Sequence, residues 1–562
     1  MDRERTGAPA LPETGAASQA ILLAGLVCLL PFEPRRPALP VLGFELTLLE
    51  AAAGLLALPL AWLGRHQLAD LARRPPLPLA CITLYAIAHL LSAALAPENG
   101  AFAGKFALRM AAMAAYAWLA AAVPAGHRAA LGALAATSCV IAAAALAESL
   151  GLRALDPLLD RFREMPFNVA GARRATAFSE YPNLAAGVVM CGLVAGAGLL
   201  AARGAWRWLA APFAVLLGAG LLFTYSRGAF AAALVGLLVL AAVVVRRPPR
   251  ARVIPVLSAL GALAVCAASF ASAGEVFRLR LSGEGTGRWY LAEYEPGETP
   301  LRLRAGELRT TPVRVANTGR KTWSRGEAFH LSYHWWNREQ QVLADGERTR
   351  LPRDLAPGDS ALLAASVRAP AQPGQYLLVW DMVHEHTTWF SGQGVAPRTV
   401  PVVVGATPAP GLAAAEQPDV APAVGWQPGR AELWRLALGM WRERPLVGVG
   451  ADNFRWLYGP RAGHAFWDTR VFANNLYLEA AATTGTLGLL AIVATLATAF
   501  FAAGRTAWRT PRLLPVAAAL CGLLAAIAAH GMVDYLLAST GHYLLLAVAV
   551  GLAGSLPREA LP

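Results

Sequence analysis

Four stretches of this chain combine residue types that could bind a ligand: the first three carry arginine, and the fourth carries asparagine, tyrosine and glutamate. The stretches are Arg173-Arg174-Ala175-Thr176-Ala177-Phe178 continuing to Tyr181-Pro182-Asn183, Tyr225-Ser226-Arg227-Gly228, Arg444-Pro445-Leu446-Val447-Gly448-Val449-Gly450-Ala451-Asp452-Asn453-Phe454, and Asn474-Asn475-Leu476-Tyr477-Leu478-Glu479. A guanidinium group is always charged and can fork onto the oxygen atoms of a phosphate or carboxylate group. If the fold brings these stretches together, they predict a site for an anionic ligand.

The composition of the chain restricts the kind of fold that can hold such a site. Of the 562 residues, 56% are hydrophobic and only 15% are charged, whereas soluble globular proteins carry roughly 25% charged residues. This composition excludes a soluble enzyme, and it excludes a disordered chain, which needs low hydrophobicity. Six cysteines in a chain of this length also exclude a disulfide scaffold.

Apolar segments of the length that crosses a bilayer as a helix, about 20 residues, occur along most of the chain. They lie near residues 19–31, 41–63, 77–96, 104–123, 128–149, 182–201, 207–224, 229–245, 253–274, 476–502, 513–533 and 540–556. The predicted fold is therefore an α-helical polytopic membrane protein with about twelve transmembrane helices.

Basic residues in the short loops predict the orientation of these helices. Those that fall on one side of the membrane are Arg65, Arg73, Arg74, Arg203, Arg207, Arg246, Arg247, Arg250, Arg252, Arg505, Arg509 and Arg512. By the positive-inside rule that side is cytoplasmic. We therefore expect a multi-pass protein of a bacterial inner membrane with both termini in the cytoplasm. The net charge of +13 then reflects topology, and we expect no nucleic-acid partner.

Two loops on the predicted outer side carry arginines against this rule. They are Arg35 and Arg36 in the first loop, and Arg153, Arg161, Arg163, Arg173 and Arg174 in the loop of residues 150–181. An anionic ligand on the outer face would explain why these residues are placed there.

Residues 276–405 differ abruptly from the apolar segments, because alternating polar and apolar residues replace the apolar runs. The predicted strands are Thr311–Val315, Ala328–Trp336, Ser360–Val367, Gly374–Met382 and Thr399–Val404. Short strands at this spacing predict a periplasmic antiparallel β-sandwich. The stretch Val315-Ala316-Asn317-Thr318-Gly319 with Thr322-Trp323 resembles bacterial immunoglobulin-like domains, in which the tryptophan fills the core. The many aromatic residues here are explained either by that core or by a sugar-stacking face.

The chain is thereby divided into four parts. Residues 1–275 form a membrane domain with nine helices, and residues 276–405 form the β-sandwich. Residues 406–475 contain a linker, a helix and a periplasmic loop, and residues 476–562 contain the last three membrane helices. The helix, Arg430–Arg444, has an apolar stripe of leucine and tryptophan that predicts a position on the outer leaflet.

The cysteines and histidines do not predict a metal centre. All six cysteines fall within predicted spans, and the histidines of the β insert lack a tight ligand pattern. We therefore expect no metal and no cofactor.

In their order, spacing and predicted sidedness, these four stretches resemble the O-antigen ligase / O-antigen polymerase family of bacterial membrane glycosyltransferases. The resemblance covers the membrane part, most clearly from residue 171 to 535. The family carries a His-Asn-x-Tyr-Leu motif where this chain has Asn474-Asn475. The role of the missing histidine could pass to His464, ten residues upstream.

The resemblance implies a GT-C-like fold and the transfer of a glycan from a polyprenyl diphosphate, such as undecaprenyl diphosphate, to a hydroxyl of a glycan, lipid or protein acceptor. It implies catalytic roles for Arg227, His464 and Asp468. Residues implied to bind the diphosphate or glycan are Arg173, Arg174, Asn183, Arg470, Asn474, Asn475 and Glu479. For each of them an ordinary structural role, such as a topology anchor for Arg227 or a helix cap for Asn475, is the alternative.

Two other functions remain open. About twelve spans also suit a membrane transporter or a flippase of lipid-linked glycans, although the chain shows no internal repeat. A membrane-anchored carbohydrate-binding module would leave the arginines of the membrane loops unexplained. Ligase and polymerase share the same motifs and are not distinguished.

Overall fold

The structure is a computed structural model. It describes residues 13–35, 39–41, 44–163, 167–169, 172–201, 209–245, 254–273, 289–297, 302–327, 329–336, 342–385, 388–391, 395, 397–408, 429–463 and 469–559.

Helices make up most of the described chain. They are α1 (Glu13–Leu29), α2 (Leu48–Leu63), α3 (Arg65–Arg73), α4 (Leu77–Ala94), α5 (Gly100–Ala121), α6 (Gly126–Ser149), α7 (Asp156–Leu159), α8 (Pro182–Leu200), α9 (Ala210–Phe223), α10 (Arg227–Val245), α11 (Ile254–Ala273), α12 (Arg430–Glu443), α13 (Phe454–Arg461), α14 (Leu476–Arg509), α15 (Leu514–His530) and α16 (Thr540–Glu559). Each predicted apolar segment coincides with one of these helices.

Seven helices of the described chain are long and apolar enough to cross a membrane: α4, α6, α8, α10, α14, α15 and α16. The pair α2 and α3, bent by 77°, would make an eighth span. Helices α1 and α9 are apolar but shorter, and α5 carries Lys105 and Arg109. The polytopic membrane architecture is confirmed, whereas the predicted number of about twelve spans is not.

Arg109 shows how a charge is accommodated within α5. Its Nε donates to Oε1 of Glu50 at 2.6 Å, and Glu50 also forms a capping box with Thr47 at the start of α2. A charged side chain inside a membrane bundle needs such a partner. Arg109 therefore joins two helices.

The loops on the predicted outer side lie together at one end of the bundle. The hydrogen bonds that join them include Arg35 N to Arg161 O (3.0 Å), Arg444 to Leu95 O (3.0 Å), Asn453 to Glu98 O (2.8 Å) and Thr540 N to Glu33 (3.2 Å). At the other end, Arg558 donates to Arg74 O at 2.6 Å. The predicted alternation of loops is thus consistent with the packing.

The strands form two short hairpins in loops and two larger sheets. They are β1 (Leu39–Val41), β2 (Phe44–Leu46), β3 (Phe167–Val169), β4 (Ala172–Arg174), β5 (Ala292–Pro296), β6 (Arg302–Ala305), β7 (Leu308–Asn317), β8 (Phe329–Trp336), β9 (Val342–Asp345), β10 (Thr349–Arg350), β11 (Ser360–Arg368), β12 (Gly374–His384), β13 (Thr388–Trp389) and β14 (Arg398–Pro408). One sheet has the order β10-β8-β12-β14-β6, with β9 on β8 and β13 on β12, and the other has the order β11-β7-β5.

Both larger sheets contribute to one hydrophobic core. Trp323 and Trp380 are fully buried in it, together with Tyr333 and Phe390. Most of the aromatic residues of the insert are therefore core residues, which disfavours a broad sugar-stacking face. The predicted strands are confirmed, while the immunoglobulin-like resemblance stays a prediction.

Helix α12 packs part of its apolar stripe against the protein. Leu433 and Met440 are buried in a separate core with Phe454 and Tyr458 of α13, and α12 packs against α14. The Nε1 of Trp441 donates to Oγ1 of Thr486 at 3.1 Å. The stripe therefore holds α12 onto the bundle, and the position of this helix at the outer leaflet stays a prediction.

Candidate functional site

The loop after α6 is built on a network of ion pairs. Arg163 and Glu148 form a pair in which both side chains are fully buried. The Nε of Arg173 donates to the same carboxylate at 3.2 Å, and both arginines pair with Asp156. The hydrogen bond from Arg173 lowers the pKa of Asp156. The positive charge of Arg163 and Arg173 is thus balanced within the chain, so these two residues need no external anion to hold them on this side.

Arg174 takes part in a different set of contacts, which joins three of the predicted stretches. Its Nε donates to Thr224 O at 3.0 Å, and its NH2 group donates to Oδ1 of Asn183 at 3.1 Å. The Nδ2 of Asn183 in turn donates to Oδ2 of Asp534 at 2.6 Å. The structure therefore brings Arg174 and Asn183 together with the start of α10 and the end of α15.

Arg227 lies at the first turn of α10, with its side chain exposed. Tyr225 has a φ of +53°, which turns the chain sharply into the helix. The exposed Arg430 at the start of α12 is close enough to interact electrostatically with Arg227. Neither arginine has a carboxylate partner among the residues that the structure describes. Two exposed guanidinium groups without a described carboxylate partner therefore lie near each other at two helix N-termini, whose dipoles also favour an anion.

Arg430 was not singled out in the sequence, where it is simply the first basic residue of an amphipathic helix. Glu180 was missed as well. Burial raises the pKa of its carboxyl group, although Arg35 and Arg470 nearby favour the charged form. Only the fold reveals either residue, because their neighbours are distant in sequence.

The Arg-Pro-x-x-Gly-x-Gly stretch binds to the backbone of α14. Val449 N donates to Ala482 O at 2.9 Å, and Gly450 N donates to Thr483 O at 3.2 Å. The helix is interrupted opposite this stretch at Gly485, which has a φ of +67°. Gly448 has a φ of +69°, and any side chain there would collide with the backbone of α14. This motif therefore shapes the site rather than binding substrate.

Glu479 is buried beneath this stretch, with 1% exposure. It accepts a hydrogen bond from Ala473 N at 2.8 Å. Asp452 pairs with Arg455 at 2.6 Å. Burial raises the pKa of Asp452, while Arg455 acts in the opposite direction. Glu479 is thus placed away from the exposed arginines, in the interior of the structure.

The remaining predicted residues lie before α14. Asn475 caps this helix, since its side chain accepts from the backbone N of Tyr477 and Leu478 at 3.0 Å each, and it donates to Met532 O at 2.8 Å. Asn474 has a φ of +50° and is partly exposed, and Arg470 is exposed.

His464 and Asp468 lie outside the described residues. Within the described chain, no group of three or more His, Cys, Asp or Glu residues could hold a metal ion.

The comparisons with known proteins address the same region. Residues 400–493 match the family model described as O-Antigen ligase. This segment contains α12, the Arg-Pro-x-x-Gly-x-Gly stretch, Asn474 and Asn475, and the first half of α14. No curated protein matches the chain. Together with the apolar helices, the match indicates a multi-pass inner-membrane protein with the glycosyltransferase activity of that family. The resemblance predicted from the motifs is confirmed over residues 400–493, which match the O-antigen ligase family model.

Proposed function

We propose that this protein transfers a glycan from a polyprenyl-diphosphate carrier to an acceptor hydroxyl at the periplasmic face of the inner membrane. The observation that carries the proposal is the pair Arg227 and Arg430, two arginines without a described carboxylate partner at the end of the bundle where the motif stretches meet. A lipid diphosphate has the charge and the membrane location that suit this pair.

In the proposed reaction, the oxygen of the acceptor hydroxyl attacks the anomeric carbon of the donor glycan. The bond from that carbon to the phosphate oxygen breaks, and its electron pair leaves with the lipid diphosphate. Arg227 and Arg430 stabilise the negative charge that develops on the leaving group. One fixed charge 4 Å away contributes about 1 kcal/mol in water and about 4 kcal/mol at the surface of a protein.

The other residues of the site hold these groups in place. Arg174, Asn183 and Asp534 connect the turn before α10 to the segment after α15. Arg173 shapes the loop through Glu148, and we assign it a supporting role.

The segment before α14 faces the same end of the bundle. We propose that His464, Asp468, Arg470 and Asn474 contact the acceptor there. Asn475 and Glu479 orient the start of α14. The four-part division of the chain, with residues 276–405 as a periplasmic domain and both termini in the cytoplasm, belongs to the same proposal.

The reaction is proposed to be independent of metal ions, because two arginines supply the positive charge that a divalent cation would otherwise bring. This feature has a direct test: transfer in detergent should continue in the presence of EDTA. Full loss of transfer in EDTA, with recovery on addition of Mg²⁺, would contradict it.

The decisive experiment measures lipid-diphosphate release and glycan transfer by purified protein. Wild type should transfer, and Arg227→Ala and Arg430→Ala should each lower kcat/KM by about tenfold or more. Arg442→Ala is the matched control, since Arg442 is an exposed arginine of the same helix α12. Equal losses of kcat/KM in all three variants would show that the effect comes from the overall surface charge and not from Arg227 and Arg430. Glycan uptake by proteoliposomes without any transfer would favour a transporter instead.

A further inference from the structure

A cavity of about 40 Å³ lies between α8, α15 and α16, close to the proposed site. Gly187, His530, Asp534 and His542 are among its lining residues. Neither ring nitrogen of His530 has a hydrogen-bond partner in the described structure. The cavity is large enough for water, which needs roughly 10–15 Å³ per molecule and a few polar contacts.

The absence of hydrogen bonds at His530 contrasts with another buried histidine of the bundle. His127 is 3% exposed, and its Nε2 is within 3.0 Å of both Leu552 O and Oγ of Ser555. His530 is 2% exposed. Buried polar groups are normally hydrogen-bonded, so the hydrogen bonds of His127 are those of a structural residue. Both ring nitrogens of His530 remain available to a ligand or a water molecule.

The position of His530 connects the cavity to the two arginines. Gly228 follows Arg227 directly, and a Cβ atom at position 228 would lie 3.5 Å from Nε2 of His530. Arg430 is close enough to interact electrostatically with His530 as well as with Arg227. The ring therefore lies immediately behind the proposed diphosphate site.

Charged and titratable groups lie near His530 on several neighbouring elements, and Cys191 of α8 lines the same cavity. Asp534 follows on its own segment, with Oδ2 3.9 Å from Nε2. Arg227 begins α10, Arg430 begins α12, and His542 belongs to α16. Asp534 is the carboxylate in this set, and its Oδ2 is fixed by Asn183. It is thus placed to stabilise a protonated imidazole.

We propose that His530 is the proton acceptor of the transfer reaction, acting through water in this cavity. The inference rests on the proposed function. As the acceptor oxygen bonds to the anomeric carbon, its proton passes through the water to a ring nitrogen of His530. The electron pair of the broken carbon–oxygen bond leaves with the lipid diphosphate. The imidazolium, stabilised by Asp534, later releases the proton to solvent.

The test compares the dependence of kcat on pH in wild type, His530→Gln and His127→Gln. For wild type, kcat should rise as the pH rises through the range in which the imidazole of His530 loses its proton, and it should level off above that range. In His530→Gln this rise should disappear and kcat should fall by about 100-fold. The KM for the donor should stay within about twofold, because the arginines are untouched. His127→Gln should keep the wild-type pH profile.

A second measurement uses His530→Gly, in which added imidazole should restore transfer in proportion to its basic form. Wild-type kcat and pH profile in His530→Gln would overturn the inference and leave the proposed function intact. Unfolding of His530→Gln would show that the residue is structural and would also overturn it. Absence of transfer by wild type would instead overturn the proposed function, and the inference with it.

Discussion

Arg173 and Arg227 should respond to substitution in opposite ways. Both are arginines of the predicted outer face, and the family resemblance implies that both act on the substrate, Arg227 in catalysis and Arg173 in binding. In the structure, Arg173 pairs with Glu148 and Asp156, whereas Arg227 has no carboxylate partner in the described chain. Arg173→Ala should therefore lower stability, and Arg227→Ala should lower transfer.

The magnitudes follow from these contacts. Arg173 is 21% exposed and makes charge-assisted hydrogen bonds to Glu148, which is fully buried, and to Asp156. Losing them should cost about 1–3 kcal/mol, because Arg163 remains to balance part of the charge. Arg227→Ala removes no bond to a described residue, so stability should stay within about 0.5 kcal/mol. Loss of about 1–4 kcal/mol of transition-state stabilisation would lower kcat/KM by about 5- to 1000-fold.

Thermal unfolding and the kcat/KM for the lipid-linked donor would be measured on the same preparations. Raising the salt concentration should weaken transfer by wild type, because exposed charges are screened beyond about 10 Å at 0.1 M salt. The reasoning is refuted if Arg173→Ala loses transfer at unchanged stability. It is equally refuted if Arg227→Ala unfolds more easily while its kcat/KM is that of wild type.

Three further substitutions probe the frame of the site and the β insert. Asn475→Ala should lower stability by about 1–2 kcal/mol through loss of the helix cap, with donor KM unchanged in the transfer assay. Gly448→Ala should prevent correct packing against Thr483, seen as loss of folded protein in size-exclusion chromatography, since Gly448 has both a positive φ and no free space. Burial lowers the pKa of His334, but Asp345 and Asp381 outweigh it and raise the pKa above its usual value. The stabilisation from protonated His334 is therefore complete below about pH 6.5, and it is lost as the pH rises through the raised pKa. The free energy of unfolding of wild type, followed by tryptophan fluorescence, should fall over that range. That of His334→Gln should not change over the same range.

The helices and strands were largely predictable from the sequence because their signals are local. Twenty apolar residues in a row require a helix in lipid, and alternation with turn residues predicts strands such as β11 and β12. The number of spans was less certain, since α1 and α9 are short and α5 carries Lys105 and Arg109. For such segments, the helix is set by the sequence but the crossing of the membrane depends on the neighbours.

The site was only partly predictable, because the role of each arginine depends on its partners. Arg173 and Arg174 are adjacent in sequence, yet one pairs with Glu148 and the other with Asn183. The sequence suggested that α12 lies on the membrane, since an amphipathic stripe predicts burial without showing what covers it. The need for glycine at positions 448 and 485 also becomes clear only in the structure, because two backbone segments approach each other closely there.

The arginines of the outer end thus fall into two groups with different consequences. Those paired with buried carboxylates add little net charge, so their presence does not oppose the orientation that the cytoplasmic arginines favour. Arg227 and Arg430 repel each other and have no such partner in the described chain, and His530 behind them lacks hydrogen bonds. This arrangement is unfavourable in the free protein and becomes favourable when an anion binds. An anion that binds only the folded protein stabilises it by RT ln(1 + [L]/Kd), about 2.7 kcal/mol at a concentration of 100 times Kd. Under the proposed function, relief of the repulsion between two fixed charges would therefore favour a ligand with two phosphates over a neutral glycan.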